Sequence, residues 1–210
     1  MRKRDQRPYN LLYYQTHRQA ELGRVQKRQR DAVEFLRQLR SVLCLDCGRA
    51  FPPYVMDFEH RDPTTKSFWI LQRAGTVSRE RLDAELAKCD IVCANCHRAR
   101  SYRRAIENRR LRILSGNPPT TESRLRRLQT ELIQKLRDVP CADCGQRFPF
   151  YSMDFDHRIP SEKSTEVPRL LGRVTTDRLL QEISKCDVVC ANCHRLRTYS
   201  SRLSSRAGVL

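Results

Sequence analysis

One stretch occurs twice, and it sets what this chain can fold into. Residues 88–102 read KCDIVCANCHRARSY and residues 185–199 read KCDVVCANCHRLRTY, differing only at Ile91/Val188, Ala99/Leu196 and Ser101/Thr198. Upstream lie CLDC at 44–47 with MDFEH at 56–60, and CADC at 141–144 with MDFDH at 153–157. Every matched position is displaced by 97 residues, with no insertion between the first Cys and the last. Two copies of one compact module therefore follow each other. A module this short can bury only a small core, so a staple beyond apolar burial is expected.

The cysteines supply that staple. Cys44, Cys47, Cys93 and Cys96 form C-x2-C-x45-C-x2-C, and Cys141, Cys144, Cys190 and Cys193 repeat it. Four thiolates suit tetrahedral zinc, and closed sites of this kind are structural. The alternative is reduced cysteines in small cores, and one pattern recurring at fixed spacing favours zinc over it. The N-terminal MRKRDQRPYNLLYYQ lacks a continuous apolar run and a small-residue cleavage site, so an intracellular, reducing cytoplasmic setting is expected. Cys89 and Cys186 are left over; each is expected to be a small buried residue at a helix end.

The chain carries 41 Lys and Arg against 24 Asp and Glu, a formal charge of +17. That imbalance calls for a polyanionic partner, nucleic acid first and an anionic membrane surface second. No run is long enough to span a bilayer. Residues 1–19 read as a basic arm, 20–114 and 120–203 as the two modules, 115–119 (SGNPP) as the linker, and 204–210 as a tail. Each module opens with a basic amphipathic helix. Leu22, Val25, Val33, Leu36 and Leu39 mark the apolar face of the first, and Leu125, Leu128, Leu132 and Leu136 that of the second, after a TTES capping cluster. MDFEH suits a short strand with Met56 and Phe58 inward and Asp57 and Glu59 outward. Residues 78–90 and 175–187 read as helices capped by Ser78 and Thr175, and a strongly basic helix follows each second C-x-x-C.

An acidic residue and a His end each predicted strand, and another His follows each last zinc cysteine. C-x-x-C, then D/E-H, then C-x-x-C-H resembles the zinc-containing HNH endonucleases of the ββα-metal class, over residues 44–103 and 141–200. The resemblance implies an α+β, helix-rich chain of two tandem zinc-stapled ββα-metal modules. It implies that His60 and His157 are general bases that activate water. Glu59 with His97, and Asp156 with His194, would hold a catalytic divalent cation, Mg2+ or Mn2+, beside the structural zinc. A carboxylate and an imidazole can hold such an ion while leaving positions for water and phosphate oxygens. Arg98, Arg100, Arg103, Arg104, Arg195 and Arg197 are expected to touch phosphates, with Lys66 and Lys163 near the cation. Asp57 and Asp154 are alternates for the metal, expected instead to hydrogen-bond the hairpin.

The chain departs from that family at two places. The middle Asn, which braces the loop of the base, is replaced by Lys88 and Lys185, while Asn95 and Asn192 fall inside the knuckle. Glu59 stands where the second copy has Asp156, and one extra methylene displaces a ligand by about 1 Å, so any impaired module is expected to be the first. The expected activity is metal-dependent hydrolysis of phosphodiester bonds in DNA, the two modules acting as an internal pseudo-dimer. The rival is a non-catalytic zinc-knuckle protein that binds DNA or RNA, in which His97 and His194 merely flank zinc sites.

Overall fold

The computed structural model describes residues 7–118 and 123–207, with side chains for Tyr13, 15–118 and 123–204. Among them are eight helices and four strands in two separate two-stranded sheets, an α+β architecture. The first repeat contains α1 (Arg7–Leu39), β1 (Met56–His60), α2 (Ile70–Arg73), α3 (Arg79–Leu86), β2 (Cys89–Cys93) and α4 (Ala94–Leu114). The second contains α5 (Arg124–Leu136), β3 (Met153–His157), α6 (Val167–Leu170), α7 (Thr176–Ile183), β4 (Cys186–Cys190) and α8 (Ala191–Ala207). No helix among the described residues is long and apolar enough to cross a membrane.

The compact units do not follow the repeats. One unit comprises the residues up to Val42 together with Phe58–Asp90; the other comprises Leu43–Asp57 and everything from Ile91 onward. The division passes through both strands of the first repeat, after Asp57 and after Asp90. The CLDC knuckle and α4 of the first repeat therefore fall in the same unit as the whole second repeat.

The first unit has its core where Leu36, Ile70, Ala74 and Leu82 meet, with Phe35, Phe58, Phe68 and Leu86 packed around them. Only the C-terminal end of the predicted α1 stripe is used: Leu36 is buried, while Leu22, Val25 and Val33 are exposed. The helix already runs from Arg7, so residues 7–19 of the expected arm are helical; residues 1–6 lie outside the described residues.

The second unit has three small cores. Ile133, Val167, Leu171, Leu179 and Cys186 form one; the other two gather around the two sets of zinc-type cysteines. In α5 the buried face is Gln129 and Ile133, not the leucine stripe, for Leu125 and Leu128 are exposed. Gln129 is drawn inward because its side chain donates to Val174 O at 2.8 Å and accepts from Gly172 N at 2.8 Å, tying down the turn before α7. Ser123 caps α5 by accepting from Arg126 N; the rest of the TTES cluster and the last linker residue, Pro119, lie outside the described residues.

Ser78 and Thr175 cap α3 and α7 through the backbone N–H of Arg81 and Arg178, as their sequence placed them. Both helices stop earlier than their pattern suggested, however. CDIVC and CDVVC are strands, because β-branched Ile91, Val92, Val188 and Val189 fit a pleated, half-buried surface. In the second repeat β3 and β4 run antiparallel, with Met153 opposite Cys190, Asp156 opposite Asp187 and His157 opposite Cys186.

Candidate metal centres and the strand-end cluster

Two groups of four cysteines come together: Cys44, Cys47, Cys93, Cys96 and Cys141, Cys144, Cys190, Cys193, each with its sulfurs within 4.8 Å of one another. Sulfurs about 2.3 Å from one tetrahedral zinc lie roughly 3.8 Å apart, so both groups suit structural zinc. The sequence folds this way because Gly48 and Gly145, at φ 66° and 69°, let the chain turn back after the second cysteine. Gly48 N donates to Cys44 O at 2.8 Å, and Gly145 N to Cys141 O at 2.9 Å. Backbone N–H groups also converge on sulfur: Cys93 N donates to Cys44 Sγ and Cys190 N to Cys141 Sγ, both at 3.2 Å. Burial opposes ionisation of Cys44 and Cys141, but these donors outweigh it and hold both thiols down at about 7. Cys89 and Cys186 lie outside both groups, in the first residues of β2 and β4 rather than at helix ends, and burial pushes their thiols up to about 11.

The second cluster lies at the end of β3, wholly within one unit. His157 Nε2 is 2.8 Å from Glu182 Oε1, on α7. The same oxygen accepts from Ser164 N at 2.8 Å, while Glu182 Oε2 accepts from Lys185 Nζ at 2.7 Å. Burial opposes the Glu182 charge; Lys185, His157 and the backbone donors overcome it and hold the carboxyl at about 2. A fixed carboxylate at Nε2 places the proton there and leaves Nδ1 as the base. Sequence reasoning missed Glu182. Lys185, which stands where the bracing Asn was absent, donates to this glutamate three residues before it. A helical glutamate three residues before a lysine reads as an ordinary surface pair, and only its 4% exposure marks it out. Arg158, next to the base, secures the approach to β4 by donating to Cys186 O, at 2.7 Å, and to Ser184 O.

Across the strand end, His194 on α8 donates Nδ1 to Asp154 Oδ2 at 2.8 Å and turns Nε2 toward Asp156 Oδ1 at 3.5 Å. Ligand atoms about 2.1 Å from one ion lie roughly 3–4 Å apart, so Asp156 and His194 fit a shared cation. Asp154 is not a hairpin brace; it orients the histidine. Its carboxyl is held at about 2 because His194 and Arg98 overcome the cost of burial, and the Asp154 carboxylate in turn raises the His194 imidazole. Asp156 faces Asp187 directly across the strands, a repulsive pair. Arg197 relieves it by bridging the two at 3.3 and 3.0 Å. A cleft of about 480 Å3 opens here, lined by Arg137, Asp156, His157, Lys163 and His194 among others.

In the first repeat the matched residues are divided between the two units. Glu59 and His60 belong to one unit and His97 to the other. Within the first unit His60 Nε2 lies 2.8 Å from Glu85 Oε1, which also accepts from Ser67 N, repeating the His157–Glu182 pair. Glu59 is buried, not outward. Within the second unit His97 Nδ1 donates to Asp57 Oδ2 at 2.7 Å.

Four of the arginines expected on phosphate are engaged with carboxylates. Arg100 grips Asp46 and Arg197 grips Asp143, each through two nitrogens, bracing the knuckle between its first two cysteines. Arg98 grips Asp154 and Arg195 grips Asp57. Arg103 is exposed, and Lys66 lies over the Trp69 ring; Lys163 sits at 3.9 Å from Glu166 on the cleft wall. Asn95 and Asn192 do more than shape their own knuckles: each backbone N–H donates to the other's side-chain oxygen, at 3.0 and 3.1 Å, joining the two repeats.

Comparison with family models, with curated proteins and with solved structures found no match. What the chain offers on its own geometry is two sites of a kind that holds zinc, and one strand-end cluster built of a braced imidazole beside a carboxylate–imidazole pair.

Proposed function

We propose that the chain is a metal-dependent endonuclease of the HNH type that hydrolyses phosphodiester bonds in DNA, with its working centre at the end of β3. The observation that carries this reading is the convergence of Asp156 Oδ1 and His194 Nε2, 3.5 Å apart, beside a base whose far nitrogen is fixed by Glu182. His157 would take the proton of an attacking water at Nδ1, passing positive charge onto a ring that Glu182 stabilises. Asp156 and His194 would hold one Mg2+ or Mn2+ ion, which supplies charge compensation at the scissile phosphate. Asp154 keeps His194 in the tautomer whose Nε2 is free to ligate. Lys163, on the cleft wall, would add charge near the phosphate. Zinc in the two cysteine groups would be structural.

Arg197 on Asp156 favours a second reading, because a guanidinium satisfies the carboxylate without a metal. On that reading the chain is a zinc-knuckle protein that binds DNA or RNA and cuts nothing. The net charge of +17 suits both. Incubation of zinc-loaded protein with supercoiled plasmid, with and without Mg2+ or Mn2+, separates them. Metal-dependent nicking is expected, lost on His157→Ala with DNA binding kept; His60→Ala reports whether the first repeat also works. Tight binding without cutting under any divalent metal would leave only the binder.

A further inference from the structure

Each repeat carries the same chain of three groups: His97, Asp57 and an arginine; His194, Asp154 and an arginine. The arginine always comes from the other repeat. Arg98, on α4, holds Asp154 with two hydrogen bonds of 2.6 Å. Arg195, on α8, holds Asp57 with bonds of 2.8 and 2.7 Å and also donates to Val55 O at 3.3 Å. In each case the gripped aspartate hands its Oδ2 to its own histidine, 2.8 Å away in the second repeat and 2.7 Å in the first. All six residues lie in one compact unit.

We propose that the two repeats are cross-wired, so that Arg98 is a positioning residue for the centre of the second repeat and Arg195 for the histidine of the first. The proposal rests on the reading of His194 as a metal ligand. A two-nitrogen fork fixes the plane of the carboxylate, and the plane of the carboxylate fixes the imidazole it accepts from. Without the fork, Asp154 is free to rotate about its side chain, and His194 loses the constraint that keeps Nδ1 protonated and Nε2 turned to Asp156. The contact between repeats is built to hold this register. Beside the Asn95–Asn192 exchange, Tyr54 stacks on Tyr199 with ring centres 3.8 Å apart, and Tyr102 on Tyr151 at 4.3 Å. The histidine, the aspartate and the arginine recur in both copies, yet neither copy completes the set alone. A tandem arrangement is then a requirement of the centre and not simply a doubling of it.

The test reads the imidazoles directly, by nitrogen NMR of the zinc-loaded full chain at a pH high enough that both rings are neutral. In the unaltered protein His194 and His97 are each expected in the Nδ1–H tautomer. Arg98→Met is expected to shift His194 toward a tautomer mixture and leave His97 in place, and Arg195→Met to do the reverse. Arg98→Lys, which keeps the charge but not the fork, is expected to restore part of the His194 signature. Equal disturbance of both rings by either substitution would mean that the arginines only hold the interface together. No disturbance of either ring would mean that the clamp does not position it. Both of those results overturn the proposal. The nuclease reading fails separately: a chain that never cuts but shows the crossed pattern keeps the cross-wiring, and a chain that cuts without it loses only the cross-wiring.

Discussion

His157 and Glu182 stand 25 positions apart in the chain, and their Nε2 and Oε1 atoms are 2.8 Å apart, with both side chains nearly buried. The same oxygen receives a backbone N–H, and the other receives a lysine, so the carboxylate is fully engaged. Replacing it has two consequences. Glu182→Ala strands Lys185 and His157 and is expected to cost about 3–5 kcal/mol, read by urea unfolding. Glu182→Gln keeps the shape and one acceptor and is expected to cost less stability, but to lower plasmid nicking on the order of a hundredfold by weakening the base. Equal nicking in Glu182→Gln and wild type would remove the glutamate from the mechanism.

The acid limb of stability follows from the same carboxylate. Its folded value, about 2, lies below the ordinary glutamate value of 4.5. A depressed value favours the folded state above the ordinary range, and that contribution fades as pH falls from 4.5 toward 2. The stability gap between wild type and Glu182→Gln is therefore expected to be constant near neutrality and to close in acid. Glu85, held at about 2 in the other unit, predicts the same for Glu85→Gln. A gap that widened in acid would contradict the assignment.

Zinc content separates ligands from bystanders. Cys190→Ser is expected to reduce bound zinc from two ions per chain to one and to loosen the small core built on Met153 and Val189. Cys186→Ser, four residues earlier, is expected to keep both. Its thiol, pushed up to about 11 by burial, is expected to react with alkylating reagents far more slowly at neutral pH than a free cysteine. Elemental analysis and timed alkylation of the folded protein read both.

On the proposed reading, binding to DNA sorts the arginines. Arg109 and Arg110 are exposed on the distal part of α4, whereas Arg100 grips Asp46. Alanine at 109 or 110 is expected to weaken binding on all sequences and to reduce the slope of log affinity against log salt by about 1 each. Arg100→Ala is expected to leave the slope unchanged and to lower the stability of the first knuckle. A smaller slope in Arg100→Ala than in wild type would return that residue to the phosphate contacts.

What the sequence determined by itself was local or periodic. The fixed spacing of eight cysteines named both four-cysteine groups, and the 97-residue displacement named the repeat. Ser78 and Thr175 capped the helices their position announced, because a cap contacts a backbone three residues away. The adjacency of Asp156 to His157 and of His194 to Cys193 marked a cluster that the fold then drew together. Tertiary structure decided which side chains serve it. Glu182 reaches His157 only because α7 docks against the end of β3, and nothing in QEISK separates a buried brace from an exposed ion pair. The leucine stripe of α5 yields to Gln129 because a turn 43 to 45 residues later offers it two backbone partners. Arg98 and Arg195 carry the same local signature, so sequence gives no sign that each serves the other's aspartate. That choice depends on how two like surfaces meet, which the docking of the repeats fixes and the local chain does not.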